Sequence, residues 1–294
     1  MAHDWISICP SCILFVSPHP DDICIGMGAL AFNLSQRTTD TSMVLITDGS
    51  EGRMADVTLL RHGWQNSFDR ASSTRIRGSI RIAEARNEAA LLNIAQVVKL
   101  PSQDWHQNPH TDASAMDAYG GLLDIEGFKP GPIDDNARRA VISMIRALNT
   151  QALIFLPHPH DRQHIHRITT RLFLDAILAA PDIPRIAFYE ALSCHKKAIV
   201  PDGFLDAPFC YGEDESRIKT KAIKAHISQH ERRAAIGSYT SADSRDYATI
   251  ANERSADLAR IMRSQLPFAE RYVLSHPDLD KETLITALWD FQKC

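Results

Sequence analysis

Ile13-Leu14-Phe15-Val16-Ser17-Pro18-His19-Pro20-Asp21-Asp22 runs from an apolar segment straight into a tract of imidazole and carboxylate side chains. The apolar residues stand together rather than alternating, include a β-branched pair, and stop at Pro18. That is the pattern of a strand buried on both faces of a parallel sheet. Similar runs return as Met43–Ile46, Val97–Leu100, Ala152–Leu156 and Ile186–Tyr189. Between them the spacing turns helical. Gly26–Arg37 places Met27, Leu30, Ala31 and Leu34 on one face, and Thr74–Asn93 directs Ile80, Ala83, Ala90 and Leu91 inward. Asn136–Leu148, Ile168–Ala179, Ser216–Ile236 and Tyr247–Ser264 read as four further helices. The alternation predicts an α/β fold with a doubly wound, mostly parallel sheet and helices on both faces.

Composition narrows the class. The chain has 294 residues, 44% hydrophobic and 23% charged, a balance that excludes disorder and suffices for one large core. With a net charge of −4 and a pI near 6.3 there is no basic footprint for nucleic acid. No stretch approaches the ~20 apolar residues of a membrane span. Met1–Ser11 lacks a basic region followed by an apolar run, so no signal peptide is read and a cytoplasmic location is expected. The six cysteines are then expected as free thiols. Cys9-Pro10-Ser11-Cys12 is a C-x-x-C, but it precedes a strand and has no second pair, which suits neither a redox motif nor a structural zinc site. Pro101–Pro132, rich in Gly, Pro, Asp and His, reads as a long functional loop. Ser275–Cys294 carries one last helical segment, either docked or at an oligomer contact.

Ligands of an open α/β sheet gather outside the carboxyl ends of its strands. Two chemistry-bearing loops fall there. One is Pro18–Asp22. The other is Pro157-His158-Pro159-His160-Asp161-Arg162-Gln163-His164-Ile165-His166, after a later strand. If the loops converge, imidazole plus carboxylate without thiolate suits a catalytic zinc with a place left for water. Adjacent aspartates would then divide the work, one binding metal and the other moving a proton. A plainer reading makes Asp21 and Asp22 helix caps and His19 a structural histidine. Gly26-x-Gly28 is a weak nucleotide-loop match, with no third glycine at the right offset.

The ordered set of motifs resembles the PIG-L/LmbE-like family of N-acetylglucosaminyl deacetylases over about residues 13–272. His19–Asp22 matches the first four letters of the family's His-Pro-Asp-Asp-Glu. Further matches are Thr47-Asp48-Gly49, Arg81-x-x-Glu84, His158-Pro159-x-Asp161 with His166-Arg167, Tyr189-Glu190, Lys221-Ala222-Ile223-x-x-His226-x-Ser228-Gln229 and Ala269-Glu270. The resemblance implies a Rossmann-like three-layer sandwich, a single LmbE-like deacetylase domain over residues 1–274, and a helical tail over 275–294. It implies Zn2+ or another divalent metal on His19, Asp22 and His166, with Asp21 as general base. Arg53 and Arg81 fall where family members touch the sugar or its aglycone, although Arg53 reads equally as a solvated charge. Asp104 is a weaker candidate for holding sugar hydroxyls. The implied partner is a small-molecule N-acyl amino sugar or glycoconjugate, and because family members often assemble, a homo-oligomer stays open.

Three departures matter. Ile23 replaces the family's Glu after the aspartate pair. The family's oxyanion histidine and its partner aspartate become Gln163 and Ile165. Gln163 can donate a neutral hydrogen bond but not a proton, so the expected route uses Asp21 for both proton transfers. Alternatively, a loop shift gives the oxyanion role to His164 or His160. A zinc amidase acting on a non-sugar substrate, and a catalytically impaired scaffold, are the competing expectations.

Overall fold

In β1 (Ile13–Ser17), Ile13 and Phe15 enter one apolar interior while Leu14 and Val16 enter another, and none is more than 6% exposed. A strand alternates its side chains between faces, so a run apolar at every position needs cover on both sides. β2 (Thr41–Leu45) divides in the same way, with Met43 and Leu45 against Val44. So does β4 (Leu153–Pro157), with Leu153 and Phe155 against Ile154 and Leu156. The computed structural model describes residues 10–38, 40–49, 70–100, 135–148, 150–159, 161, 163–190, 200–229 and 247–292. Arg53, Asp104, His160, Cys9 and the expected 101–132 loop lie outside the described residues.

The main sheet has seven strands in the order β3-β2-β1-β4-β5-β9-β6. β3 (Gln96–Lys99), β2, β1, β4 and β5 (Arg185–Tyr189) are parallel, with Phe15 opposite both Met43 and Phe155. β6 (Phe204–Asp206) and β9 (Tyr272–Ser275) extend the far edge, β9 antiparallel to both of its neighbours. A separate two-stranded antiparallel sheet pairs β7 (Phe209–Tyr211) with β8 (Phe268–Glu270). One face carries α1 (Asp22–Ser35), α2 (Arg70–Leu91), α5 (Glu213–Lys224) and α6 (Tyr247–Ile261). The other carries α3 (Asp135–Arg146), α4 (His164–Leu178) and α7 (Lys281–Gln292). This is the expected three-layer α/β sandwich. The chain winds outward from β1 through β2 to β3, then restarts beside β1 with β4, which opens the crevice of a doubly wound sheet between β1 and β4.

Apolar counting misplaced several elements. α1 begins at Asp22 rather than Gly26, because Ile23, Cys24 and Ile25 are all buried and leave no period to read. It also breaks at Met27 (φ −148°, ψ 21°). There Gly26 lies so close to Tyr189 that a Cβ would sit 2.8 Å from its ring, and Gly28 meets Lys219; both glycines serve packing, not a nucleotide. Beyond the break, Glu270 accepts from Ala29 N (3.1 Å) and Leu30 N (3.0 Å), while Lys219 Nζ at 2.7 Å neutralises it. On α2 the expected inward face was wrong. Ala83 and Ala90 are exposed, Leu91 is 37% exposed and Ile80 half-buried, whereas Arg81, Glu84 and Glu88 are buried with Ala85 and Ala89. The stripe facing the core holds three charges, so a search for apolar residues finds its back. The tail carries α7, with Leu284 and Ala287 buried in the second cluster, and a division between residues 274 and 275 falls inside β9.

Candidate metal centre

The two loops meet at the crevice. Thr47 clamps the first, its N–H and Oγ1 both donating to Pro18 O (3.1 and 2.8 Å). Gly49, at φ +67°, closes the turn, where a Cβ would strike both Pro20 and Arg81 at 2.9 Å. Asp22 Oδ2 accepts from His19 N (2.6 Å), which folds the imidazole back over the start of α1. In the second loop Asp161 Oδ1 accepts from Gln163 N (2.9 Å) and sets the entry into α4, while Thr170 Oγ1 holds Pro157 O and His166 O (2.8 and 3.1 Å).

Three ligand atoms converge. His19 Nδ1 lies 3.1 Å from Asp22 Oδ2 and 3.2 Å from His166 Nε2, and His166 Nε2 lies 3.2 Å from Asp22 Oδ2. A tetrahedral ion at ~2.0–2.1 Å from each ligand requires edges of about 3.3–3.4 Å. The triangle is within a few tenths of an ångström of that size, so the residues fit a four-coordinate divalent cation. His166 Nδ1 faces Asp161 Oδ2 at 3.0 Å, an arrangement that keeps the ring proton on Nδ1 and leaves Nε2 as the ligand atom. His166 is fully buried, whereas the His19 side chain is 30% exposed, so the centre opens on the His19 side.

Charge agrees with geometry. Burial alone would lower the His166 pKa, but Asp22 and Asp161 raise it to about 10. Burial would raise Asp22, yet the imidazoles of His166 and His19 hold it well below the usual carboxylate range. A cluster that holds a proton this firmly is a negative well made for a cation.

Asp21 is neither a side-chain cap nor a member of this cluster. It occupies the N-cap position of α1 without a side-chain cap hydrogen bond, and its Oδ1 accepts from Arg81 Nη2 at 2.9 Å. Burial raises its pKa, but the charges of Arg81 and His226 bring it below the ordinary value, so it is ionised at neutral pH. Arg81 is 3% exposed and turned to Asp21. Gln163 is the exposed N-cap of α4, and His164 is its first residue.

Two groups escaped the sequence reading as site residues. Asp161 was noted only as a motif letter; its spacing five residues before a ligand histidine was the available signal. Glu88 was missed outright, and only its place in a stripe with Arg81 and Glu84 at helical spacing could have marked it.

A histidine–aspartate–histidine cluster able to hold a divalent cation, set at the switch point of a doubly wound sheet beside a carboxylate held by arginine, defines the class: an α/β protein with a candidate metal site at its crevice. The family described as PIG-L, GlcNAc-PI de-N-acetylase, matches residues 14–177, and the chain belongs to it. Solved structures share the fold. N,N'-diacetylchitobiose deacetylase from Pyrococcus horikoshii is 19% identical, with a TM-score of 0.58 over 91% of this chain and 85% of that one. The zinc-inhibited form of teicoplanin deacetylase Orf2 is 16% identical, with a TM-score of 0.56 over 91% and 99%. The 4-carboxy-2-hydroxymuconate hydratase GalB from Pseudomonas putida KT2440 is also 16% identical, with a TM-score of 0.56 over 92% and 98%. No curated protein is similar enough in sequence to match the chain.

Proposed function

We propose that the chain is a zinc-dependent deacetylase that hydrolyses the N-acyl group of an amino sugar or its conjugate, with Asp21 as general base. The observation that carries this reading is the near-equilateral triangle of His19, Asp22 and His166, with an ionised, arginine-held carboxylate on the adjacent residue. When bound there, a divalent cation supplies Lewis-acid polarisation of the acyl carbonyl and acidification of a water.

The chain's own residues do the rest. Arg81 occupies Oδ1 of Asp21, so Oδ2 is the atom that takes the proton from the attacking water. The Asp21 side chain is 14% exposed, enough to meet a water at the mouth of the centre. Once protonated, the same carboxyl gives its proton to the departing amine, because Gln163 has none to give. Gln163 supplies a neutral hydrogen bond to the developing oxyanion. Asp161 keeps His166 in the tautomer a ligand needs.

Family membership and the deacetylases among the fold relatives favour amide hydrolysis over the hydration chemistry named for GalB. A scaffold that had abandoned catalysis would have no need of three intact ligands and a poised base. The test is release of amine from a panel of N-acetylated sugars by the zinc-loaded protein, beside Asp21→Asn and Asp22→Ala. Asp21→Asn is expected to bind zinc while losing about 10²–10⁴-fold in rate, and Asp22→Ala to lose zinc. A wild-type protein that binds no zinc, or an Asp21→Asn variant with undiminished rate, sinks the reading.

A further inference from the structure

Behind Asp21 lies a second set of buried ionisable groups that the hydrolysis itself does not use. Glu84 and Glu88 stand one helical turn apart on α2, 7% and 0% exposed, and both meet the segment His226–Ser228 that follows α5. Ser228 donates its N–H and its hydroxyl to the two oxygens of Glu84, each at 2.7 Å. Glu88 Oε2 pairs with Nε2 of His226, which is 1% exposed, and Glu88 Oε1 accepts from Cys24 N at 2.8 Å.

The Cys24 amide is the third of α1, one of the first-turn donors that no helix carbonyl can satisfy. It lies two residues beyond Asp22, so whatever holds it fixes the turn that presents the aspartate pair. Cys24, Glu88 and His226 are close enough to suggest a second metal site. The geometry gives them another use: the imidazole and carboxylate bond each other directly, and Cys24 Sγ donates to Asp21 O at 3.1 Å. What remains is a clamp. Sinking carboxylates and an imidazole in an apolar interior is costly unless each is paired, and an apolar trio would pack this space without that cost. An apolar trio, however, could not accept the α1 amide.

We propose that Glu88 and His226 are positioning residues that hold the first turn of α1, and with it Asp21 and Asp22, in register with His166. This rests on the metal-hydrolase reading, because the register matters only if the three ligands share an ion. A displacement of the pair by even about 1 Å is worth on the order of 10²-fold in a reaction that depends on alignment, and outer partners of metal ligands typically contribute about 10–100-fold in affinity or activity.

Cobalt(II) added to the full-length, metal-free protein reads the clamp directly, through its affinity and its visible absorption bands. Glu88→Ala and His226→Ala, shown to be folded by circular dichroism, are expected to bind cobalt about 10–100-fold more weakly and with shifted bands. Glu88→Gln keeps an oxygen for the Cys24 amide and should recover to within a few-fold of wild type. Wild-type affinity and bands in either folded alanine variant overturn the assignment. So does Glu88→Gln binding as weakly as Glu88→Ala, since negative charge rather than the hold on α1 would then be responsible. If Glu88→Ala does not fold, His226→Ala decides the matter alone. Failure of the wild-type protein itself to bind cobalt would instead refute the metal-hydrolase reading, so the two failures are distinct.

Discussion

At the scale of single residues, Arg81 is where the family resemblance and the geometry part company. The resemblance puts it against the sugar or its aglycone, but the guanidinium is buried and donates to Asp21. The two roles have different kinetic signatures. An arginine that grips substrate raises KM when removed, whereas one that holds the base lowers kcat. Arg81→Met is therefore expected to reduce kcat by at least about 10²-fold with KM nearly unchanged. A raised KM with normal kcat would return the residue to the substrate. The oxyanion partner separates in the same way: Gln163→Ala should slow turnover, and an unchanged rate there combined with abolition by His164→Ala would refute the single-carboxylate route. That His19, Asp22 and His166 would lie together was legible in the sequence, because imidazoles and carboxylates after buried strands have few uses. What Asp21 bonds to was not legible, since its partner Arg81 comes from a helix 60 residues away in the chain.

At the scale of elements, the strands buried on both faces were legible and the edges were not. β1, β2 and β4 are each built on a short apolar run, and they emerged within a residue or two of their expected bounds. β6, β7 and β8 have three residues each, too few for any period; β6 is held by the longer β9, and β7 and β8 by each other. α1 is the instructive helix. Its break at Met27 frees two amides, and Glu270, from a strand more than 200 residues away, accepts both. That explains why Ala269-Glu270 belongs to the motif set although it touches no ligand. Glu270→Ala would strip the amides of their acceptor and leave Lys219 as an unpaired buried cation, at a cost of about 3–5 kcal/mol. The paired replacement Lys219→Met with Glu270→Gln, which retains an acceptor and removes both charges, should recover much of that loss. Urea unfolding of the two proteins checks this, and equal destabilisation of both would show that the ion pair is not the reason Glu270 is needed.

At the scale of the whole molecule, the parallel strands set the winding, the winding sets the crevice, and the crevice brings together two candidate ligands, His19 and His166, 147 residues apart. Topology of this kind could be argued from strand–helix alternation alone, because right-handed crossovers leave few alternatives. The electrostatic consequence could not, since it depends on burial. In the metal-free protein His166 is raised to about 10 by Asp22 and Asp161 against its burial, and His226 to about 9 by Glu84 and Glu88 against its own. Both begin from 6.5. A histidine whose folded pKa is raised contributes stability that is complete below pH 6.5 and is lost as the pH climbs through the folded value. Asp22 and Glu84 are depressed, so their contribution fails in the opposite direction, as the pH drops below the ordinary carboxylate range. In chelator, the urea midpoint should therefore fall steadily above pH 6.5, with His226 alone accounting for a loss on the order of 3 kcal/mol by pH 9. Zinc takes the place of the His166 proton and binds more tightly as its ligands deprotonate, so the loaded protein should lose much less over the same range. His226→Gln should flatten the part of the alkaline fall that chelation leaves behind. A midpoint in chelator that stays level from pH 6.5 to 9 would mean that neither imidazole is held as a cation, and the negative well on which the metal centre depends would not exist.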